Sequence, residues 1–293
     1  MFSVKNILQR CVSLVVFLIS SQIYGQQSPT IQVEGSGPPL LLFQGGSNTV
    51  SVFDPHVRDL KGRFKVVRME RLQIQAIQNN QPLPENYSVR MESERAFRLL
   101  DSLMMKEPVI LAGHSYGALI ALDFALNHPE RVAALILAEP PAFWLPLQKS
   151  EHPIGMDEMI RVVSQFGPNV VISEDHLAQF RCLLMNCKSI DSLKKDPQFQ
   201  TWTKNRHSLR GLAAVSNHTD SIQRLMALNL PVLLITGNET VPFHKRINEL
   251  LKSAIPGAKE VHIPGGHGAV IVEPLVFIRV LISYLQAIGQ LKS

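Results

Sequence analysis

The 293-residue chain is 45% apolar and 18% charged, with a formal charge of +5. That length and apolar content suffice for one substantial core, with or without an inserted subdomain, and the low charge content excludes a disordered or coiled-coil chain. The basic excess forms no Lys/Arg-rich run and does not interleave with aromatics, so ordinary surface residues explain it and no nucleic-acid partner is expected.

The N-terminus reads as an export signal over residues 1–25. Lys5 and Arg10 supply a positive start, Cys11–Ser20 an apolar run, and Gly25 a small residue at the cleavage point before polar Gln26-Gln27-Ser28. The run is about ten residues long, short of the roughly eighteen that a spanning helix requires. A retained anchor is therefore the weaker reading, and no stable membrane insertion is expected after processing. Leu8-Gln9-Arg10 ahead of Cys11 is not a lipoprotein-type box of small residues. The expected location is secreted or periplasmic. Cleavage leaves Cys182 and Cys187, five positions apart. In an oxidising compartment they can pair. On a continuous helix they point apart, so a disulfide requires a break near Asn186; the alternative is two buried thiols.

Short strands are predicted at Thr30–Glu34 and Leu40–Phe43, split by Gly35-Ser36-Gly37-Pro38-Pro39, and at Phe64–Met69. A helix follows at Val89–Met104, with Ala96, Phe97, Leu100, Leu103 and Met104 on one stripe. The β-branched run from Val109 then drives into Gly113-His114-Ser115-Tyr116-Gly117, a helix runs from Ala118 to His128, and Pro129 stops it before the strand Val132–Ala138. A G-x-S-x-G pattern between a strand and a helix is the context of a strained turn that pushes a serine hydroxyl clear of its neighbours. Such a turn leaves no room for Cβ atoms two residues to either side, which accounts for Gly113 and Gly117.

From Pro141 to Leu230 no strand run appears. Amphipathic patterns such as Met156, Met159, Ile160, Val163 and Leu177, Phe180, Leu184 point to a helical cap over residues 142–228, lying over the carboxyl ends of the strands. Strands return at Pro231–Thr236 and Lys259–Ile263, with helices at Pro242–Ile255 and Val272–Ile288. Residues 26–141 and 229–293 thus form an α/β core with a mostly parallel sheet covered on both faces.

The elbow, this alternation and a late histidine together resemble the α/β-hydrolase fold superfamily, over about residues 38–290. The resemblance implies Ser115 as nucleophile and His267, in Pro264-Gly265-Gly266-His267-Gly268, as the base. His114 adjoins the serine, but its side chain is expected to point away from it in a structural role. For the acid, many members carry an aspartate in a G-x-x-D pattern after the strand before the last. Here Gly237-Asn238-Glu239-Thr240 puts Thr240 at that place and Glu239 one residue short. A subset carries the acid directly after the strand that follows the elbow helix, where this chain has Glu139, 24 residues beyond Ser115. Glu139 is the leading candidate and Glu239 the alternative. The oxyanion hole would use the backbone N–H groups of Tyr116 and Gly46, the latter in Gln44-Gly45-Gly46-Ser47. Gln44 departs from the usual histidine. Met69-Glu70-Arg71-Leu72 is a second departure, expected to change a pocket wall.

These readings predict an exported serine hydrolase acting on an ester-type bond of a small, apolar substrate through an acyl-enzyme. Thioester, lactone, amide, carbon–carbon or cofactor-free perhydrolysis chemistry would use the same groups. A hydrolase-like binding protein with little turnover is the alternative of another class. Serine at the elbow argues against the dehalogenase and epoxide-hydrolase branches. No metal-ligand cluster, dinucleotide fingerprint or phosphate loop is present in the sequence, so no cofactor and no metal are expected.

Overall fold

Apolar runs too short for helices, bounded by glycine and proline, become the strands of one seven-stranded sheet. The computed structural model describes residues 31–292; the expected signal and its expected cleavage point lie outside them. The strands are β1 (Ile31–Glu34), β2 (Pro39–Phe43), β3 (Lys65–Met69), β4 (Val109–His114), β5 (Val132–Ala138), β6 (Val232–Gly237) and β7 (Lys259–Ile263). Their spatial order is β1-β3-β2-β4-β5-β6-β7, with β1 antiparallel to β3 and every other pairing parallel. Side chains alternate between the faces. Leu41, Val67, Leu111, Leu135 and Leu234 enter one core cluster, and Leu40, Val66, Ile110, Ile136 and Ile235 enter the other. Helices must therefore cover both faces, and truncating any one of these leucines or isoleucines to alanine costs about 2–5 kcal/mol.

The helices are α1 (Asp54–Leu60), α2 (Leu72–Gln78), α3 (Val89–Ser102), α4 (Tyr116–Asn127), α5 (Trp144–Leu147), α6 (Met156–Val163), α7 (Glu174–Met185), α8 (Ile190–Lys194), α9 (Pro197–Lys204), α10 (Ala213–Asn217), α11 (Ile222–Met226), α12 (Pro242–Ala254), α13 (Ala269–Val272) and α14 (Pro274–Ala287). α4 is buried from Tyr116 through Leu126, as a helix apolar on all sides must be. Two features differ from the sequence reading. Helix α3 stops at Ser102, and Met104 turns out of it with φ 55° and is 82% exposed; the buried stripe runs instead through Val89, Ala96, Leu99 and Leu100. The predicted Val272–Ile288 helix starts two residues later, where Pro274 opens α14 at its first turn, and Val272 instead ends the separate α13.

Between β5 and β6 the chain forms α5 to α11 and, among the described residues, no strand. Ser173 caps the start of α7 by accepting from the His176 N–H. The helix ends at Asn186 in the left-handed conformation, φ 49°, and this break lets Cys182 pair with Cys187, their Cα atoms 4.8 Å apart.

Parallel register brings the functional loops together. Phe43 is level with Gly113, His114 with Ala138, Ala138 with Ile235, and Gly237 with Ile263. The segments that follow β2, β4, β5, β6 and β7 consequently leave the sheet side by side along one edge, where open parallel sheets place their sites.

Candidate active site

Ser115 stands between β4 and α4 with φ 53° and ψ −123°, a conformation that costs a non-glycine residue about 1–3 kcal/mol. It is held by the Ser115 N–H donating to Ala138 O (2.8 Å) and by Ala118 and Leu119 N–H donating back to Ser115 O. A Cβ on Gly113 would lie 2.5 Å from Gly117 O, and one on Gly117 would lie 2.2 Å from Phe43 O. Backbone, not a movable side chain, fills those spaces, so both positions require glycine.

His267, in the loop after β7, donates from Nδ1 to Glu139 Oε2 at 2.6 Å. The two residues lie 128 positions apart and meet because β5 and β7 flank β6. Glu139 is 2% exposed and, like Ser115, has positive φ (49°). Its Oε1 accepts from Gly237 N–H (2.7 Å) and its Oε2 also accepts from Thr240 Oγ1 (2.7 Å). Thr240, at the position where many relatives carry the aspartate, thus braces the glutamate that reaches over from β5. Burial on its own would raise the Glu139 carboxyl. The His267 hydrogen bond and charge, the nearby His244 and the Gly237 N–H outweigh it and hold the group down at about 2. Glu239 is exposed and, among the described residues, makes no contact of this kind with His267.

Gly46 lies against Tyr116: a Cβ on Gly46 would sit 3.8 Å from Tyr116 Cβ. Gly45 O accepts from Asn48 N–H (3.1 Å), and in a trans peptide the Gly46 N–H points the opposite way, out of that turn. Gly46 O is drawn inward by Arg71 Nη2 (3.0 Å) and Gln73 Nε2 (3.1 Å), and Arg71 also holds Asn48 O at 2.8 Å. Gln44 Nε2 donates to Glu70 Oε1 (2.8 Å), whose other oxygen accepts from Val50 N–H. Burial pushes the Glu70 carboxyl up. Glu70 and Arg71 are 2% exposed and lie beneath this loop, outside the cavity lining. They are a brace for the loop and not the altered pocket wall read from the sequence.

Two further imidazoles flank His267. The His244 ring stacks on it with centroids 4.3 Å apart and planes 10° apart, and the His114 ring lies 4.9 Å away. His114 Nε2 meets His267 O at 2.7 Å, so it carries the proton and donates. Burial first, then the proximity of His267, lowers His114 to about 3; the same causes in the same order lower His244. Both rings stay neutral at ordinary pH. His114 therefore reaches the loop of His267 and lines the same cavity. Glu139, His244 and His267 also offer ligand atoms within 4.8 Å of one another, but both Glu139 oxygens already accept hydrogen bonds. A second such group, Asp123, His218 and Asp220, lies away from the cavity, with Arg90 and Arg224 on its carboxylates.

Ser115, Tyr116, Gly46, His267 and Glu239 line one cavity of about 850 Å³. Its other wall comes from the helices between β5 and β6, through Met159, Val163, Leu177, Phe180, Leu184 and Trp202. Among the described residues no hydrogen bond joins Ser115 Oγ to His267. A model of the family described as "Serine aminopeptidase, S33" matches residues 94–266, from α3 to the loop of His267. The chain belongs to this family of α/β-hydrolases.

The hydrolase is 37% identical over 109 residues to an uncharacterized hydrolase, YraK, of Bacillus subtilis (strain 168), a match spanning 37% of this chain and 40% of that protein. It is 24% identical over 211 residues to the putative carbamate hydrolase RutD of Klebsiella pneumoniae (strain 342), covering 72% of this chain and 77% of the other. A thermophilic esterase from Thermogutta terrifontis superposes with a TM-score of 0.65 at 19% identity, covering 88% and 93% of the two chains; at that identity the likeness speaks for the fold.

Proposed function

We propose that this hydrolase cleaves an ester-type bond of a small substrate through an acyl-enzyme on Ser115. The observation that carries the reading is the buried Glu139–His267 hydrogen bond of 2.6 Å opening onto the cavity that holds the elbow serine. Nδ1 is occupied by the carboxylate, so Nε2 is the nitrogen free to take the serine proton. Catalytic hydrogen bonds of this kind often tighten only with substrate in place. Ser115 Oγ attacks the carbonyl carbon, its proton passes to Nε2, and Glu139 stabilises the imidazolium. The N–H groups of Gly46 and Tyr116 receive the oxyanion, each donor lowering the barrier by about 3 kcal/mol. The imidazolium returns the proton to the leaving group, and water, activated by the same nitrogen, releases the acid. The segment 142–228 acts as a cap whose apolar side chains receive the body of the substrate.

Carbamates, named for the Klebsiella relative, and amides would use the same groups. Chromogenic acyl esters tested against matched amides and carbamates decide among them. A serine-reactive phosphonate should label the wild-type chain rapidly and Ser115→Ala not at all. Absence of labelling with retained ligand binding would instead favour a hydrolase-like binding protein. We also propose export, supported by the Lys5-to-Gly25 pattern and by the Cys182–Cys187 pair, which suits an oxidising compartment. The chain recovered from its native cells should then begin at Gln26; an intact Met1 would refute this.

A further inference from the structure

Among the residues of the cavity wall, Arg181 on α7 stands out chemically. Its Nη2 donates to Ser47 Oγ at 3.0 Å, and its guanidinium lies 4.7 Å from the centroid of the Trp202 ring. Its Nε is buried without an acceptor, and among the described residues no carboxylate pairs with it. The acids that line the cavity, Glu239 and Glu273, belong to the segments beyond β6 and α13. Burial alone, with no compensating anion, pulls the guanidinium down to about 10, and it remains a cation at neutral pH.

Arg181 as a whole is half-buried, and a charge so far withdrawn from water normally comes with its counter-charge, because the desolvation cost is otherwise uncompensated. Here a hydroxyl and an aromatic face stand in its place. They hold the guanidinium in one plane, and the disulfide at Cys182, the next residue, fixes the end of the same helix. A planar fork in a fixed orientation matches the paired oxygens of a carboxylate, as it does those of a phosphate. Ser47 directly follows Gly46, and consecutive Cα atoms are about 3.8 Å apart. The guanidinium is thus one residue spacing and one hydrogen bond away from the backbone amide assigned to the oxyanion.

We propose that the natural substrate is an ester that also carries a carboxylate, a short chain away from the scissile carbonyl, and that Arg181 binds that carboxylate. The proposal rests on the hydrolase reading above and narrows it: the substrate is amphipathic, with an apolar stem against Leu177 and Phe180 and an anionic end at Arg181.

The test compares 4-nitrophenyl monoesters of glutaric and adipic acid with the same esters whose far carboxyl is a methyl ester, and adds alcohol-side isomers arranged the same way. Wild type should favour the acid over its neutral partner in at least one pair, by roughly tenfold to a hundredfold in kcat/KM. In Arg181→Met that ratio should fall to about one, and Arg181→Lys, which keeps the charge without the fork, should retain part of it. Turnover of the neutral esters with no preference for any acid overturns the proposal and leaves the hydrolase standing. So does an equal loss on both members of a pair in Arg181→Met, the mark of a residue that merely ties α7 to Ser47. If no ester is turned over, calorimetric binding of glutarate that is lost in Arg181→Met supports the Arg181 site while refuting the hydrolase, and absence of such binding refutes both.

Discussion

The floor of the cavity and its roof are built on opposite terms. On the floor, Glu139 accepts from Gly237, Thr240 and His267, the Gly46 loop is tied through Gly46 O and Asn48 O, and the His267 carbonyl is held by His114. Arg71 Nε and Nη1 and the Nδ1 atoms of His114 and His244 are buried there without a partner, yet the Glu139 carboxylate and the Gly46 and His267 carbonyls are each held by at least one donor, so these groups have little freedom. The roof, from α6 to α9, meets the same space with apolar side chains, the polar Gln198 and Thr201, a half-exposed Met185 and an arginine without an anion. A network that converges on the reacting groups fixes where a bond can break. A wall of separate side chains sets what can enter. In one molecule, the difference assigns chemistry to the loops of the sheet and selection to the helices inserted between β5 and β6.

The largest effect should come from the floor. Glu139→Gln keeps the side-chain volume but cannot stabilise the imidazolium, and the amide presents hydrogens where Gly237, Thr240 and His267 already donate. Turnover should fall by about four orders of magnitude. Stability should drop by about 1–3 kcal/mol for the unsatisfied donors, read by denaturant unfolding. Glu239→Gln, at an exposed position, should change kcat by less than about twofold. If the second variant is the damaging one, the network around Glu139 is structural and the acid has been misplaced.

Part of that floor was legible in the chain. Gly113 and Gly117 flank a serine between an apolar strand and a helix, and those backbone demands are local. The pairing of Glu139 with His267 could be anticipated only through the spacing seen in relatives, because it spans 128 residues and depends on strand order. Thr240 looked like a missing aspartate and is a hydrogen-bond donor to the acid that replaced it. Glu70 and Arg71 read as a loop variation, since nothing in their neighbourhood says that their partners lie 20 or more residues upstream. The stacked His244 opens α12, and its meeting with His267 depends on how β6 and β7 align. The short helices α1 and α2 escaped notice as well; in Leu72–Gln78 the apolar residues alternate with glutamines, a pattern closer to a strand's period.

Acid should expose the same contrast. His114 and His244 have folded-state pKa values below that of an unfolded histidine. The stability they confer is complete above about pH 6.5 and is lost as pH falls, because the unfolded chain takes up protons that the folded one refuses. For His114, lowered to about 3, the loss by pH 5 is about 2 kcal/mol. Glu139 adds its own loss only below about pH 4.5, as the unfolded carboxyl protonates before the folded one. Unfolding midpoints in urea at pH 7, 6 and 5 should therefore fall steadily, and His114→Asn should flatten that slope if the variant folds. A midpoint independent of pH across this range would mean that the two rings reach solvent in the native state.

The roof offers the smaller and more selective perturbation. The Cys182–Cys187 loop is short, so in the loop-closure account the bond contributes about 2 kcal/mol by restricting the unfolded chain. A Cys182→Ser/Cys187→Ser double variant should lower the melting temperature by several degrees. Apart from Arg181 on Ser47 Oγ, the floor is held by its own hydrogen bonds, so phosphonate labelling of Ser115 should keep most of its rate. The end of α7, however, carries Arg181, Leu184 and Met185, all on the cavity wall. Freeing that end should reduce the preference for carboxylate-bearing esters by more than it reduces turnover of their neutral partners. An equal fall on both classes, together with slower labelling, would show that roof and floor are one mechanical unit and that the division of labour argued from their hydrogen bonding is wrong.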